Sequence, residues 1–322
     1  MRFGVPRSGP IDRVSFGAAN AAVGNPPDHP ALEVTRAGLA LRTLGEGAVT
    51  VAIAGPDVRV TVDGRTYSGG RVLTLRGGQT LRTDPGPRAS WAYVAPLGTV
   101  QATQWLGSVS THAPSALGGQ LLQQGDVVDV VGAQVDRDRE GEIPGLPDDD
   151  AGTVRLVLGP QADHVAAPSP GQGGVTADWT SSAWTVTPRG DRMGLALSGR
   201  ELALTGDGVL SIPSQPVLRG SIQVDGTGQP TVLLADHQTT GGYPKIATVI
   251  STDVDRLAQR PPGDDVHFEV ISPAAAVHLV RVESRRRRAY LSVLGQPERS
   301  LAHTLARRNL IGGVVGDGDR QA

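Results

Sequence analysis

The chain has 322 residues, a formal net charge of −2 and a pI near 6.4, which gives no general basic surface for a nucleic-acid partner. It contains no cysteine, which excludes disulfides, thiolate metal sites and a cysteine nucleophile and leaves the cytoplasm as the expected location. With 43 glycines, 24 prolines and 3% aromatic residues, long helices are disfavoured and a mainly β chain is expected, and no run reaches the roughly 20 apolar residues of a membrane span.

Domains run on the order of 100–200 residues, so two are expected. From the N-terminus, Asp12 is placed to cap a helix through DRVSFGAANAAVG, with Phe16, Ala19 and Val23 on one face. Gly24-Asn25-Pro26-Pro27 supplies its stop. Val58, Val60 and Val62 alternate in VRVTVDG, which ends in the hairpin pair Asp63-Gly64. Period-two spacing recurs at Trp91 and Tyr93, less regularly at Val127 and Val130, and again at Val154, Leu156 and Leu158. Trp184 with Val186, Ile222 with Val224, and Val266, Phe268 and Val270 continue it. Runs bounded by glycine, proline or aspartate predict a sandwich or barrel in each half.

The expected division is an N-terminal domain over 1–131, an acidic linker over 132–152 with little to bury, and a C-terminal domain over 153–282. Thr252 and Asp255 form a capping-box-like pair ahead of Leu257, and Pro261-Pro262 ends that helix. Residues 283–322 read as an Arg-rich helical or flexible tail, since 281–322 hold nine arginines against four acidic residues. The run Arg285 to Arg288 fits an RNA or anionic-surface patch, but a solvated helix start with Tyr290, Val293 and Leu294 inward is the favoured reading.

The densest chemistry lies in GQPTVLLADHQTTGGYPKIATVIS, residues 228–251, read as a strand, a polar loop over 236–245, and a second strand. Asp236, His237, Gln238, Thr239, Thr240, Tyr243 and Lys245 supply a carboxylate, an imidazole, an amide, two hydroxyls, a phenol and an ammonium. Gly241 and Gly242 allow a ligand to approach main-chain N–H groups. Such a set suits a carboxylate or phosphoryl oxygen, and fits equally well a tight connection whose polar groups satisfy one another. In TPRGDRMGLALSG, Arg192 is a candidate anion ligand, set against a plain turn in which Asp191 and Arg192 bond each other. Residues 4–34 cluster Ser8, Asp12, Arg13, Asn20 and Asn25 around one helix, and 106–126 add hydroxyls at Ser108, Ser110 and Thr111. There is no Walker-type loop, nucleophile elbow or HExxH, and no metal site is expected.

These segments together resemble the family of 5-oxoprolinase C subunits, whose members also carry the names allophanate hydrolase subunit 2 and Kip-inhibitor antagonist. Gly4–Asn25 is similar to the family's GVPxSGxMDxxSxxxANxLVGN opening, and Leu106–Thr111 to its LGSRST. Asp191–Gly194 matches its DRMG, and Ala235–Ile250 its ADxQTTGGYPxIATVI. The resemblance implies two tandem cyclophilin-like β-barrel domains, and as partners a Kip-inhibitor-like (B) subunit plus a separate (A) subunit. It implies a complex that uses ATP to open the lactam of 5-oxoproline to glutamate. Clustering in one loop makes Lys245 and the Thr239–Gly242 backbone candidates for stabilising negative charge, joined by Arg192 from the 187–199 segment, and makes Asp236 or His237 a candidate for handling the proton of the attacking water. Magnesium is expected only with the nucleotide, and no biotin carrier is present because Met1 and Met193 lack an adjacent lysine.

Two other roles stay open: an antagonist that binds a Kip-inhibitor-like protein, and a urea- or allophanate-linked carboxyl-transfer protein. The chain also departs from the family pattern. An upstream QDxGR-like strand is expected before Gly4, Val109 stands in place of the arginine of LGSRST, Gln215 where glutamate is expected, and Arg189-Gly190 for Gln-Ser.

Overall fold

The structure, a computed structural model, describes residues 4–146, 152–164, 182–202 and 212–296. Its N-terminal half faces two antiparallel sheets. The five-stranded sheet runs in the order Leu32–Thr35, Trp91–Pro96, Ala48–Ala54, Gly70–Arg76, Gly141–Ile143. The four-stranded sheet runs Leu39–Arg42, Thr80–Asp84, Arg59–Val62, Arg65–Ser68. Alternation sends Val60 inward while Arg59 stays exposed, and Val51, Ile53, Leu75, Leu81 and Val94 complete that core. Asp63 and Gly64 take φ of 46° and 88°, the left-handed pair that a twisted two-residue hairpin requires.

Helix α1 (Arg13–Val23) covers the other face of the five-stranded sheet. Asp12 caps it by accepting from Val14 N at 2.9 Å and Ser15 N at 3.1 Å, and Gly24 ends it with φ 94°. Small residues Ala18, Ala19 and Ala22 let it close on Ala52, Ala54 and Ala95.

The C-terminal half closes a seven-stranded barrel in the order Thr153–Leu158, Lys245–Val249, Ser221–Val224, Pro230–Leu233, Gly194–Ser198, Trp184–Gly190, Asp265–Val270. Its interior holds Leu156, Trp184, Leu197, Ile222, Val232, Ile246 and Phe268. Helices α2 (Ser251–Gln259) and α3 (Pro273–Leu294) follow. The expectation of a mainly β chain with few helices therefore holds. The halves share packing: Ile11 is buried in the barrel cluster and Trp91 packs on it, with its Nε1 donating to Ala258 O at 3.1 Å. Gln259 reaches across, accepting from Ser90 N and Trp91 N and donating to Asp12 at 2.8 Å.

Several local expectations change. Part of the expected linker is sheet, because Gly141–Ile143 pairs with Gly70–Arg76 and buries Ile143. Three residues are too few to show a period. The cap of α2 is Ile250, which has no capping side chain, rather than Thr252. Asp253 is drawn to Arg155 and Asp255 to other arginines instead. Helix α3 begins at Pro273, capped by Ser272, well before the expected tail. Tyr290 and Leu294 pack inward as expected, but their companion is Leu291, and Val293 is exposed. Gly17 permits this contact, since a Cβ there would lie 3.1 Å from Leu291 Cδ1. Val127 is exposed and outside any strand.

Candidate functional site

Arg192 follows a turn in which Asp191 accepts from Met193 N at 2.7 Å and Gly194 N at 3.1 Å. Asp191 thus serves its own backbone, and the guanidinium is free to point inward, contrary to a pairing of Asp191 with Arg192. Arg192 Nε donates to Asp236 Oδ2 at 2.8 Å and Nη2 to Oδ1 at 3.0 Å, a bidentate fork. Nη1 donates to Glu33, and Nη2 also reaches Gly9 O at 2.8 Å. Burial works against the charged guanidinium, but the bonds and charges of Asp236 and Glu33 outweigh it and raise its pKa. Arg192 therefore occurs as a clamp already neutralised by two carboxylates.

Ser8 completes the cluster. Its Oγ donates to Asp236 Oδ1 at 2.5 Å and lies 3.1 Å from Ser110 Oγ, while Gly9 N donates to Ser110 Oγ at 2.9 Å. Ser8 holds φ 52°, a left-handed conformation uncommon outside glycine and typical of functional sites. Glu33 is oriented by Ile11 N at 2.9 Å and by the Tyr93 hydroxyl at 2.8 Å. Burial, then the charges of Glu33 and Asp12, push the Tyr93 phenol well up, so it stays a donor. The cluster borders a cavity of about 590 Å³ between the halves, lined by Arg36, Trp91, Pro188, Arg192, Met193 and Asp236 among others.

After Asp236 the loop turns onto the barrel. Val217 N donates to Thr239 O at 3.2 Å, and Gln215-Pro216 pairs with Thr240-Gly241 as a short ladder. Lys245 Nζ donates to Pro216 O at 3.0 Å, and Lys245 N to Gln161 Oε1 at 3.2 Å. Gln238 Nε2 donates to Gln223 Oε1 at 3.0 Å, and Gln223 Nε2 to Tyr243 O at 3.3 Å. The Tyr243 side chain is exposed. His237 is buried, with Nδ1 2.5 Å from Gln238 O, an acceptor that fixes the proton on Nδ1 and leaves Nε2 as the basic nitrogen. Burial, then the Arg219 charge, lowers its pKa despite the Gln238 carbonyl, so the ring is neutral at pH 7.

The structure thus joins Ser8, Arg192 and Asp236 at the inter-half cavity, carries Thr240 and Gly241 on the neighbouring ladder with Thr239 just before it, and sets Gln238 against Gln223 and Lys245 against Pro216. Asp12 and Asn20 take structural posts instead. Asp12 is the buried cap of α1, and Asn20 pins the chain after that helix by donating to His29 O at 2.8 Å. A larger groove of about 800 Å³ under α3 includes Asp255, Arg287 and Tyr290 in its lining. Its Asp255 accepts from Arg13, Arg219 and Arg287, an ion-pair node that ties the halves to α3, so the smaller cavity is the better site. Among the described residues, no group of three or more acidic or histidine side chains is placed to hold a metal ion.

A family model described as carboxyltransferase domain, subdomain A and B, matches residues 3–270. The chain belongs to the carboxyltransferase domain family. It is 31% identical over 283 residues to the 5-oxoprolinase C subunit of Haemophilus influenzae, covering 87% of each chain. It is 33% identical over 269 residues to the 5-oxoprolinase C subunit of Escherichia coli, covering 82% of this chain and 83% of that protein. The crystal structure of the Kluyveromyces lactis urea carboxylase superposes with a TM-score of 0.73 at 22% identity, covering 89% of this chain and 27% of that one. That likeness speaks to the fold alone.

In this member of the carboxyltransferase domain family, Glu33, Tyr93 and Gln223 join the site without having been singled out in the sequence. Glu33 sits in ALEVT and Gln223 in SIQV, a carboxylate and an amide in short strands whose other polar residues are only hydroxyls, which is the signal that marks them. Gln215, at the position where glutamate is expected, accepts from Gln161 Nε2 at 3.2 Å, a bond that a carboxylate would also accept.

Proposed function

We propose that the chain is the C subunit of an ATP-dependent 5-oxoprolinase that opens the lactam of 5-oxo-L-proline to L-glutamate. The observation that carries this reading is the 236–245 loop, whose sequence gathers an imidazole, hydroxyls, glycines and a lysine, with the imidazole oriented by the Gln238 carbonyl. Similarity to two 5-oxoprolinase C subunits over more than four-fifths of the chain supports it. The complex works in the cytoplasm with the enzyme's A and B subunits.

A lactam carbonyl is a poor electrophile until charge on its oxygen is stabilised, and ATP is the co-substrate whose phosphoryl group supplies the activation. Within this chain, Lys245 and the Thr239–Gly242 backbone meet the developing negative charge. His237 takes the proton of the attacking water through Nε2. Asp236 is less suited to that task because Arg192 and Ser8 occupy its oxygens. It orients the loop.

The test is glutamate release from 5-oxoproline and ATP by this chain with the A and B subunits, each of the three omitted in turn. Loss of turnover when this chain is left out is the expected result. No turnover from the full mixture, with a stable complex between this chain and the Kip-inhibitor-like partner, would contradict it and favour an antagonist role.

A further inference from the structure

The amide pair beneath the glycines of the loop has a polarity set from one end. Tyr243 O can only accept, so Gln223 must turn its Nε2 toward it, at 3.3 Å. That leaves Gln223 Oε1 to accept from Gln238 Nε2 at 3.0 Å. The Oε1 and second Nε2 hydrogen of Gln238 have no hydrogen-bond partner among the described residues, and the side chain is half-buried. Gly241 makes the room for this arrangement. A Cβ there would lie 2.5 Å from Gln223 Nε2 and 3.3 Å from Gln238 Nε2.

A primary carboxamide presents its acceptor and one donor side by side. A ligand that meets both must carry a donor and an acceptor on one side as well. A linear secondary amide is trans, with N–H and C=O pointing opposite ways. A five-membered lactam forces them to the same side.

We propose that Gln238 reads the N–H and C=O edge of a lactam, with its Nε2 donating to the ring carbonyl and its Oε1 accepting from the ring N–H. Gln223 is the positioning residue that presents this edge. This rests on the reading of the site as one for 5-oxoproline, and adds the residue that selects a lactam over a lactone or a linear secondary amide. The recognition edge and the base belong to adjacent residues, since the Gln238 carbonyl also orients His237.

The test uses the complex of this chain with the A and B subunits, with glutamate release as the readout. The competitor is 5-oxotetrahydrofuran-2-carboxylate, the lactone that replaces the ring N–H with oxygen and adds no bulk. Against the wild-type complex it is expected to bind at least about tenfold more weakly than 5-oxoproline, because Gln238 Oε1 loses its donor. Equal binding would overturn the proposal. Gln238→Met keeps the side-chain length, and is expected to raise KM about tenfold and erase the preference against the lactone while the melting temperature holds. A folded Gln238→Met complex with wild-type KM and wild-type preference also overturns it, and a misfolded variant leaves the decision to the wild-type competition. Absence of turnover in the complete wild-type mixture would defeat the 5-oxoprolinase reading itself, whereas turnover indifferent to Gln238 defeats only this subsite.

Discussion

Arg192 and Asp236, 44 residues apart in the chain, are joined by two hydrogen bonds at 2.8 and 3.0 Å, and the same guanidinium holds Gly9 O from the other half of the molecule. One side chain therefore couples the start of the 236–245 loop to the N-terminal segment. The Asp236 side chain is fully buried, so removing its partner strands a charge. Arg192→Met is expected to cost about 3–5 kcal/mol in urea unfolding, the usual range for breaking a buried pair from one side. Arg192→Lys should recover only part of this, since a lysine cannot make the bidentate fork.

The Asp255 node offers a graded comparison. Arg13, Arg219 and Arg287 all converge on this buried carboxylate. Arg287→Ala leaves two arginines in place, so a loss of about 1–2 kcal/mol is expected. Asp255→Ala leaves the cations uncompensated, and about 3–5 kcal/mol should be lost. Thermal melts of both variants check the order, and equal effects would contradict a shared node.

His237 makes stability depend on pH in a defined direction. Its folded pKa lies below the ordinary histidine value of 6.5, so on acidification the unfolded chain takes up the proton first. The stabilising difference is present above about pH 6.5 and is lost as pH falls from there through the folded pKa. Urea midpoints at pH 7.5 and 5.5 should show a smaller acid-side loss for His237→Gln than for the wild type.

Lys245 separates binding from folding. Its Nζ bond to Pro216 O is solvent-exposed, so Lys245→Ala should change the melting temperature little. If Lys245 meets developing charge, kcat of the complex falls by about 10²–10³, as for removal of one oxyanion donor. Full turnover by an intact Lys245→Ala complex would remove it from the site.

What could be read from the sequence was local. The Asp12 cap, the Gly24 stop and the Asp63-Gly64 hairpin each depend on a few neighbouring residues whose chemistry admits one conformation. Alternation at Val58 and Val60 worked because one face is buried and the other wet. Non-local contacts were hidden. Nothing near Glu33 signals that it will meet Arg192, because the two lie 159 positions apart and are brought together only by the docking of the two halves. The four arginines Arg285 to Arg288 look uniformly solvated, yet the helical period turns Arg287 inward to Asp255. The same period selects Leu291 over Val293.

That His237 is the base of the site is tested most directly by glutamate release from a complex carrying His237→Gln, with assembly verified beforehand. A fall in kcat of about 10²–10⁴ is expected, with the acid limb of the pH profile, which should lie below pH 6.5, abolished. Wild-type kcat with an unchanged acid limb would contradict the assignment, and would return the proton transfer to another residue.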